Sequence, residues 1–196
     1  SFSRANEALR RDYPGLTWRM HAASEYAGNE GLIAACKADI AAADIVVCGM
    51  LFLEDHFLPI LEDLRARRLQ CDAMICMASA IEVTQLTRLG KFDMSKPASG
   101  PMALLKKLRG NKDKSKTGGA TQMKMLRRLP QLLRFIPGTA QDVRSYFICL
   151  QYWLGGSDDN LLNMMRHVID CGAQGPRKGL SGAVKVQAPV SYPEVG

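Results

Sequence analysis

The chain has 196 residues, 47% of them hydrophobic and 23% charged, with a mean hydropathy of −0.09. Those values exclude a disordered, collagenous or coiled-coil chain and leave a globular one. No stretch approaches the roughly 18 uninterrupted apolar residues of a membrane span, and no basic segment leading into an apolar one marks a signal peptide.

The net charge of +7 is unevenly placed. Between Lys106 and Arg134 lie ten basic residues and a single acid, Asp113, so that stretch carries +9 and the remainder −2. Six cysteines (Cys36, Cys48, Cys71, Cys76, Cys149 and Cys171) form no C-x-x-C pair and mostly sit in apolar runs. A chain able to bury a core of this size needs no disulfide framework, so they read as buried free thiols in a reducing cytoplasm.

The spacing predicts a helix over Phe2 to Asp12, stopped by Pro14-Gly15, then a short strand over Leu16 to His21. Asn29 reads as the N-cap of a helix carrying Leu32, Ile33, Cys36 and Ile40 on one face and ending at Asp44. Ile45 to Phe52 is an apolar, β-branched run without alternation, as expected of a strand covered on both faces. Glu54 to Arg68 reads as a helix with Phe57, Ile60, Leu61 and Leu64 inward and Glu62, Arg65 and Arg68 toward water. Asp72 to Ala78 is a second buried strand, and Ile81 to Leu89 a helix closed by Gly90.

Strand and helix in alternation predict an α/β fold: an open parallel sheet with flanking helices, Rossmann-like, over residues 1–95. The opening helix has no strand before it. We therefore expect a missing first strand upstream of Ser1, in a longer polypeptide of which this chain is a piece.

Residues 96–182 read as a mostly helical appendage with a basic loop over 106–121. Helices are expected over Pro101 to Arg109, over Gln122 to Phe135 with a break or kink at Pro130, over Ala140 to Leu154, and over Asp158 to Cys171. Ser157 is the expected N-cap of the last, and Asp158 and Asp159 suit its positive end. Residues 183–196 read as a strand over Ala183 to Pro189 and a linker toward a further domain.

Chemistry is thinly marked. The visible strand-to-helix turns, Leu51-Phe52-Leu53-Glu54 and Ala78-Ser79-Ala80-Ile81, lack glycine, and no G-x-x-x-x-G-K-[ST] loop occurs. Glu54, Asp55 and His56 lie where open α/β sheets place their sites and are weak candidates for a metal. Consecutive helical residues diverge, however, and acids in a first turn simply favour the helix dipole. Ser79 and Glu82 have the capping-box spacing, while His21 and His167 are isolated and read as structural. Lys106, Lys107, Arg109, Arg127, Arg128 and Arg134 form a candidate partner or anion patch. From residues alone, a fragment of a large enzyme, a nucleic-acid binder and a docking module all stand.

Several strings in order carry a resemblance. They are Lys37-Ala38-Asp39-Ile40-Ala41-Ala42-Ala43-Asp44-Ile45 leading into Met50-Leu51-Phe52-Leu53-Glu54-Asp55, then Arg88-Leu89-Gly90-Lys91-Phe92-Asp93-Met94, then Ala140-Gln141-Asp142-Val143-Arg144. Most specific is Leu150-Gln151-Tyr152-Trp153-Leu154-Gly155-Gly156-Ser157-Asp158-Asp159-Asn160-Leu161. From near Ser1 to Gly196 the chain resembles the N-terminal region of the large porphyrin-binding H subunits of magnesium chelatase, in their bacteriochlorophyll-pathway form. The large subunits of cobalt chelatase are more distantly similar.

The resemblance implies a ligase that forms nitrogen–metal bonds, inserting Mg²⁺ into protoporphyrin IX for (bacterio)chlorophyll synthesis. It implies two AAA+ partner subunits that hydrolyse ATP, a cytoplasmic location and no nucleic acid as partner. Family members are several times longer, and their metal-insertion centre resembles something built beyond Gly196. The resemblance therefore assigns no catalytic residue here, and the chain is expected to be a non-catalytic part.

Overall fold

The computed structural model describes residues 2–97 and 128–190. Helix α1 (Phe2–Asp12) is followed by a 3-10 turn (Ala23–Glu25), helix α2 (Glu30–Ala42), strand β1 (Ile45–Gly49), helix α3 (Glu54–Arg67) and strand β2 (Ala73–Met77). Then come a single helical turn α4 (Ile81–Thr84), two-residue strands β3 (Arg88–Leu89) and β4 (Phe92–Asp93), a helical stretch over 128–133, helices α5 (Thr139–Gly155) and α6 (Asp158–Gly172), and a 3-10 turn (Gly175–Leu180).

The four strands lie in the order β1-β2-β3-β4. β1 and β2 run parallel in the register Ile45↔Ala73 through Gly49↔Met77, joined by the α3 crossover. β2–β3 and β3–β4 are antiparallel. The α/β class holds, but the expectation of an open parallel sheet is corrected: among the described residues only one strand pair is parallel.

The reason lies at Thr87. This buried side chain accepts from the Cys76 N–H and donates to the Cys76 carbonyl, both at 3.1 Å. That pair of bonds fastens the chain to the edge of β2 and ends the expected Ile81 to Leu89 helix after one turn. Gly90 closes a hairpin between β3 and β4 rather than a helix. It adopts φ +56, and a Cβ there would meet the Asp142 carboxylate at 2.6 Å. The same carboxylate accepts from Lys91 N at 2.8 Å.

Each face of the parallel pair is covered, which is why β2 is buried at every position. Val46, Cys48, Met74 and Cys76 face Cys36 and Ile40 of α2 and Phe57, Ile60, Leu61 and Leu64 of α3. Ala73, Ile75 and Met77 face Val143, Tyr146 and Cys149 of α5 and Met164 and Val168 of α6. Fully burying one such aliphatic side chain stabilises by roughly 1.5–3 kcal/mol. α1 leans on α6 through Leu9, Tyr13 and Ile169, with Arg166 Nε donating to Asp12 Oδ2 at 2.7 Å.

Local signals set the helix ends. Asn29 Oδ1 accepts from Leu32 N, and Ser157 Oγ accepts from Asn160 N, each at 3.1 Å. Pro130 lies inside the 128–133 helical stretch. Arg68 does not face water as expected: its guanidinium pairs with Asp93 and donates through Nε to the Leu86 carbonyl at 2.9 Å.

Neither Leu16–His21 nor Ala183–Pro189 is a strand. Leu16 and Trp18 pack on the α1–α6 cluster without a strand alongside among the described residues. The later segment is held instead by α5 and α6 side chains. The expected helix over Pro101 to Arg109 and the loop 106–121 lie outside the described residues.

Candidate functional site at the carboxyl end of the parallel strands

β1 ends at Gly49, three residues earlier than the apolar run suggests, because the chain turns sharply at Met50. Met50 and Ala78, each one residue past its strand, have positive φ of 61 and 44. A non-glycine residue held there costs on the order of 1–3 kcal/mol and persists only where its surroundings impose it. Here the two loops brace one another. Met50 N donates to Ala78 O at 3.0 Å, and Ala80 N to Leu51 O at 2.8 Å. The Ser79 hydroxyl accepts from Leu51 N at 3.1 Å and donates to Met77 O at 2.9 Å. Ser79 thus stitches loop to loop and does not cap α4, whose N-cap is Ala80 with no side-chain bond. The capping-box expectation fails because this cross-loop acceptor role uses the hydroxyl.

What these braced loops present outward is apolar: Met50 is 54% exposed, Phe52 53%, Leu53 57% and Ile81 62%. Their neighbours Leu51 and Val83 fill the core beneath. Sequence alone misses this surface because the run Ile45 to Phe52 reads as one strand. A signal is present in Phe52-Leu53, two large apolar residues directly before the acids that open α3.

Glu54 and Asp55 are exposed in the first turn of α3 and His56 is half-buried. They follow Phe52 and Leu53 directly in the chain. Among the described residues, no three His, Cys, Asp or Glu side chains come together as a metal-holding group. Both acids stand at the positive end of α3, which has no side-chain cap. His21 Nε2 lies 2.7 Å from Asp39 Oδ2. His167 Nε2 is 3.3 Å from the Ser145 carbonyl, which makes it the protonated nitrogen, and burial pushes the His167 pKa down. Both histidines are thus engaged within the fold.

Arg128 and Arg134 are exposed beside the helical stretch 128–133. Lys106, Lys107, Arg109 and Arg127 lie outside the described residues. A hollow of about 480 Å³ lined by Asp72, Arg88, Lys91 and Asp142 opens elsewhere on the sheet. Asp72, Arg88 and Asp142 are engaged within the fold. Asp72 takes Arg177 Nε and Nη2 and Gln174 N, each at 2.8 Å, and Arg88 Nε donates to Arg68 O at 3.0 Å.

Tyr152 and Trp153, from the most specific string, are packing residues. The Tyr152 hydroxyl donates to Gln187 O. The Trp153 ring covers Gly49, where a Cβ would stand 2.8 Å from Cζ2. No helix among the described residues is long and apolar enough to cross a membrane.

A family model described as a domain of unknown function (DUF3479) matches residues 1–147. The magnesium-chelatase H subunit of Cereibacter sphaeroides is 46% identical over 191 residues, covering 96% of this chain and 16% of that one. That of Rhodobacter capsulatus is 44% identical over 194 residues, covering 99% and 16%. The chloroplastic magnesium-chelatase ChlH protein of Oryza sativa subsp. japonica is 32% identical over 163 residues, covering 81% and 11%. The chain therefore spans 16% or less of the length of these curated relatives.

Proposed function

The chain belongs to the DUF3479 family and is homologous along nearly its whole length to the H subunits of magnesium chelatase, and on that premise we propose that it serves as the N-terminal part of such a subunit. The longer polypeptide binds protoporphyrin IX and receives Mg²⁺, both as substrates, in an ATP-dependent step toward bacteriochlorophyll. Two AAA+ partner subunits supply the ATP hydrolysis in the cytoplasm. The observation that carries the reading is the near-complete coverage of this chain by the match to those relatives. None of the relatives reported above supports the alternative of a basic nucleic-acid-binding or protein-docking module.

The residues support a non-catalytic role for this part. Insertion requires removal of two pyrrole protons and stripping of a tightly hydrated Mg²⁺, tasks for carboxylates or histidines in a closed cleft. Glu54 and Asp55 stand open to solvent instead. Neither strand-to-helix turn here provides a glycine-rich phosphate loop, which suits nucleotide chemistry on the partners. The six free thiols suit a reducing compartment.

The test is direct. The longer polypeptide, mixed with both ATPase subunits, ATP, Mg²⁺ and protoporphyrin IX, should generate the fluorescence of the Mg-porphyrin. These 196 residues in its place should give none. Turnover by the 196-residue chain would refute the non-catalytic assignment, and absence of both porphyrin binding and product with the longer polypeptide would overturn the reading as a whole.

A further inference from the structure

Single exposed apolar side chains are ordinary on protein surfaces, whereas a contiguous and rigidly presented group marks an interface. Met50, Phe52 and Leu53, exposed on the loop after β1, and Ile81, exposed at the start of α4, are held close by the Met50–Ala78 and Ala80–Leu51 backbone bonds and by Ser79. Exposed Glu54 and Asp55 follow Leu53 in the chain, and exposed Glu82 follows Ile81. An apolar centre with a charged rim is the anatomy of a protein–protein contact, and this rim is acidic.

The path of the chain indicates what covers it. After α6 the segment 183–190 runs back along α5 and α6. Gln187 N donates to Asn163 Oδ1 at 3.0 Å, and the Asn160 carboxamide brackets Val190, accepting from its N–H at 2.9 Å and donating to its carbonyl at 2.8 Å. That grip places the Val190 carbonyl against the last turn of α5, 3.2 Å from where a Gly155 Cβ would be. The same turn carries Trp153, whose ring lies on Gly49, the residue before Met50. The chain is thus handed on from the end of the sheet where the apolar surface stands. In the magnesium-chelatase relatives most of the polypeptide lies outside the matched region.

We propose that polypeptide beyond residue 196 in the longer protein folds back over Met50, Phe52, Leu53 and Ile81, with Lys or Arg side chains against the acidic rim. The surface is then an interdomain contact within one chain. This rests on the reading of the 196 residues as part of a magnesium-chelatase large subunit.

Thiol accessibility in the full-length protein tests it. Phe52→Cys and Ile81→Cys report on the surface, and Leu69→Cys, 74% exposed at the far end of α3, is the reference. Maleimide labelling is read by peptide mass spectrometry, each site normalised to its rate in denaturant. Positions 52 and 81 should label at least tenfold more slowly than position 69, and Leu53→Asp should remove that protection at position 81. Equal rates at all three sites would overturn the proposal. Protection lost on dilution to monomer would assign the surface to a second copy, and protection appearing only with added ATPase subunits would assign it to them; either result also overturns it. A wild-type protein that binds no porphyrin would instead fail the functional reading, leaving the labelling ratios to judge the interface separately.

Discussion

Asp72 ties the start of β2 to the segment after α6, using both carboxylate oxygens for Arg177 and one for Gln174 N. The Arg177 hydrogen bonds hold its carboxyl below the usual carboxylate range, against the opposing effect of burial. A carboxyl lowered in the folded state stabilises above its unfolded pKa near 4 and loses that contribution as pH falls through the folded value. Asp72→Asn should therefore lower the urea midpoint at pH 7, with the gap to wild type narrowing below pH 4. A pH-independent gap would show that geometry and not charge carries the contact. Thr87 offers a sharper test at the same scale. Thr87→Val keeps the shape but strips the acceptor from the buried Cys76 N–H, at a cost of about 1–3 kcal/mol in chemical denaturation.

At the scale of elements, Gly90 holds the turn of the β3–β4 hairpin where a side chain has no room. Gly90→Ala meets both a positive φ and the Asp142 carboxylate that holds Lys91. We expect a loss of roughly 1–3 kcal/mol, read as a lower denaturant midpoint at unchanged slope. The helices are legible in the sequence because caps and periodicity are local: Asn29, Ser157 and the Phe57–Leu64 face are written within one or two turns of chain. The β3–β4 hairpin is not. Val83 and Leu86 keep a helical spacing, and only the distant Cys76 backbone decides that Thr87 leaves the helix. Leu16–His21 shows the reverse. Leu16 and Trp18 lean inward while Thr17 and Arg19 face out, a strand pattern, yet pairing needs a neighbour that no local spacing supplies. The apolar surface at Met50 and Ile81 is hidden for a related reason. Its side chains read as core until the turn at Met50 shows which way they face.

Over the whole molecule, both cores rest on the same two strands, so the helices α5 and α6 are bound to the sheet that α2 and α3 cover from behind. The sequence boundary near residue 95 follows a change of composition, and its energetic meaning depends on whether the two sides open together. Five of the six cysteines are buried, and only Cys171 is half-exposed. Cys36, Cys48, Cys71 and Cys76 sit in one core and Cys149 in the other. The protein consequently carries its own stopwatch for opening. In a pulse of alkylating reagent, Cys171 should be modified first, with the remaining five waiting for the fold to come apart. A common rate for those five identifies a single cooperative unit, whereas two rates, with Cys149 apart from the other four, locate a seam running through the sheet itself.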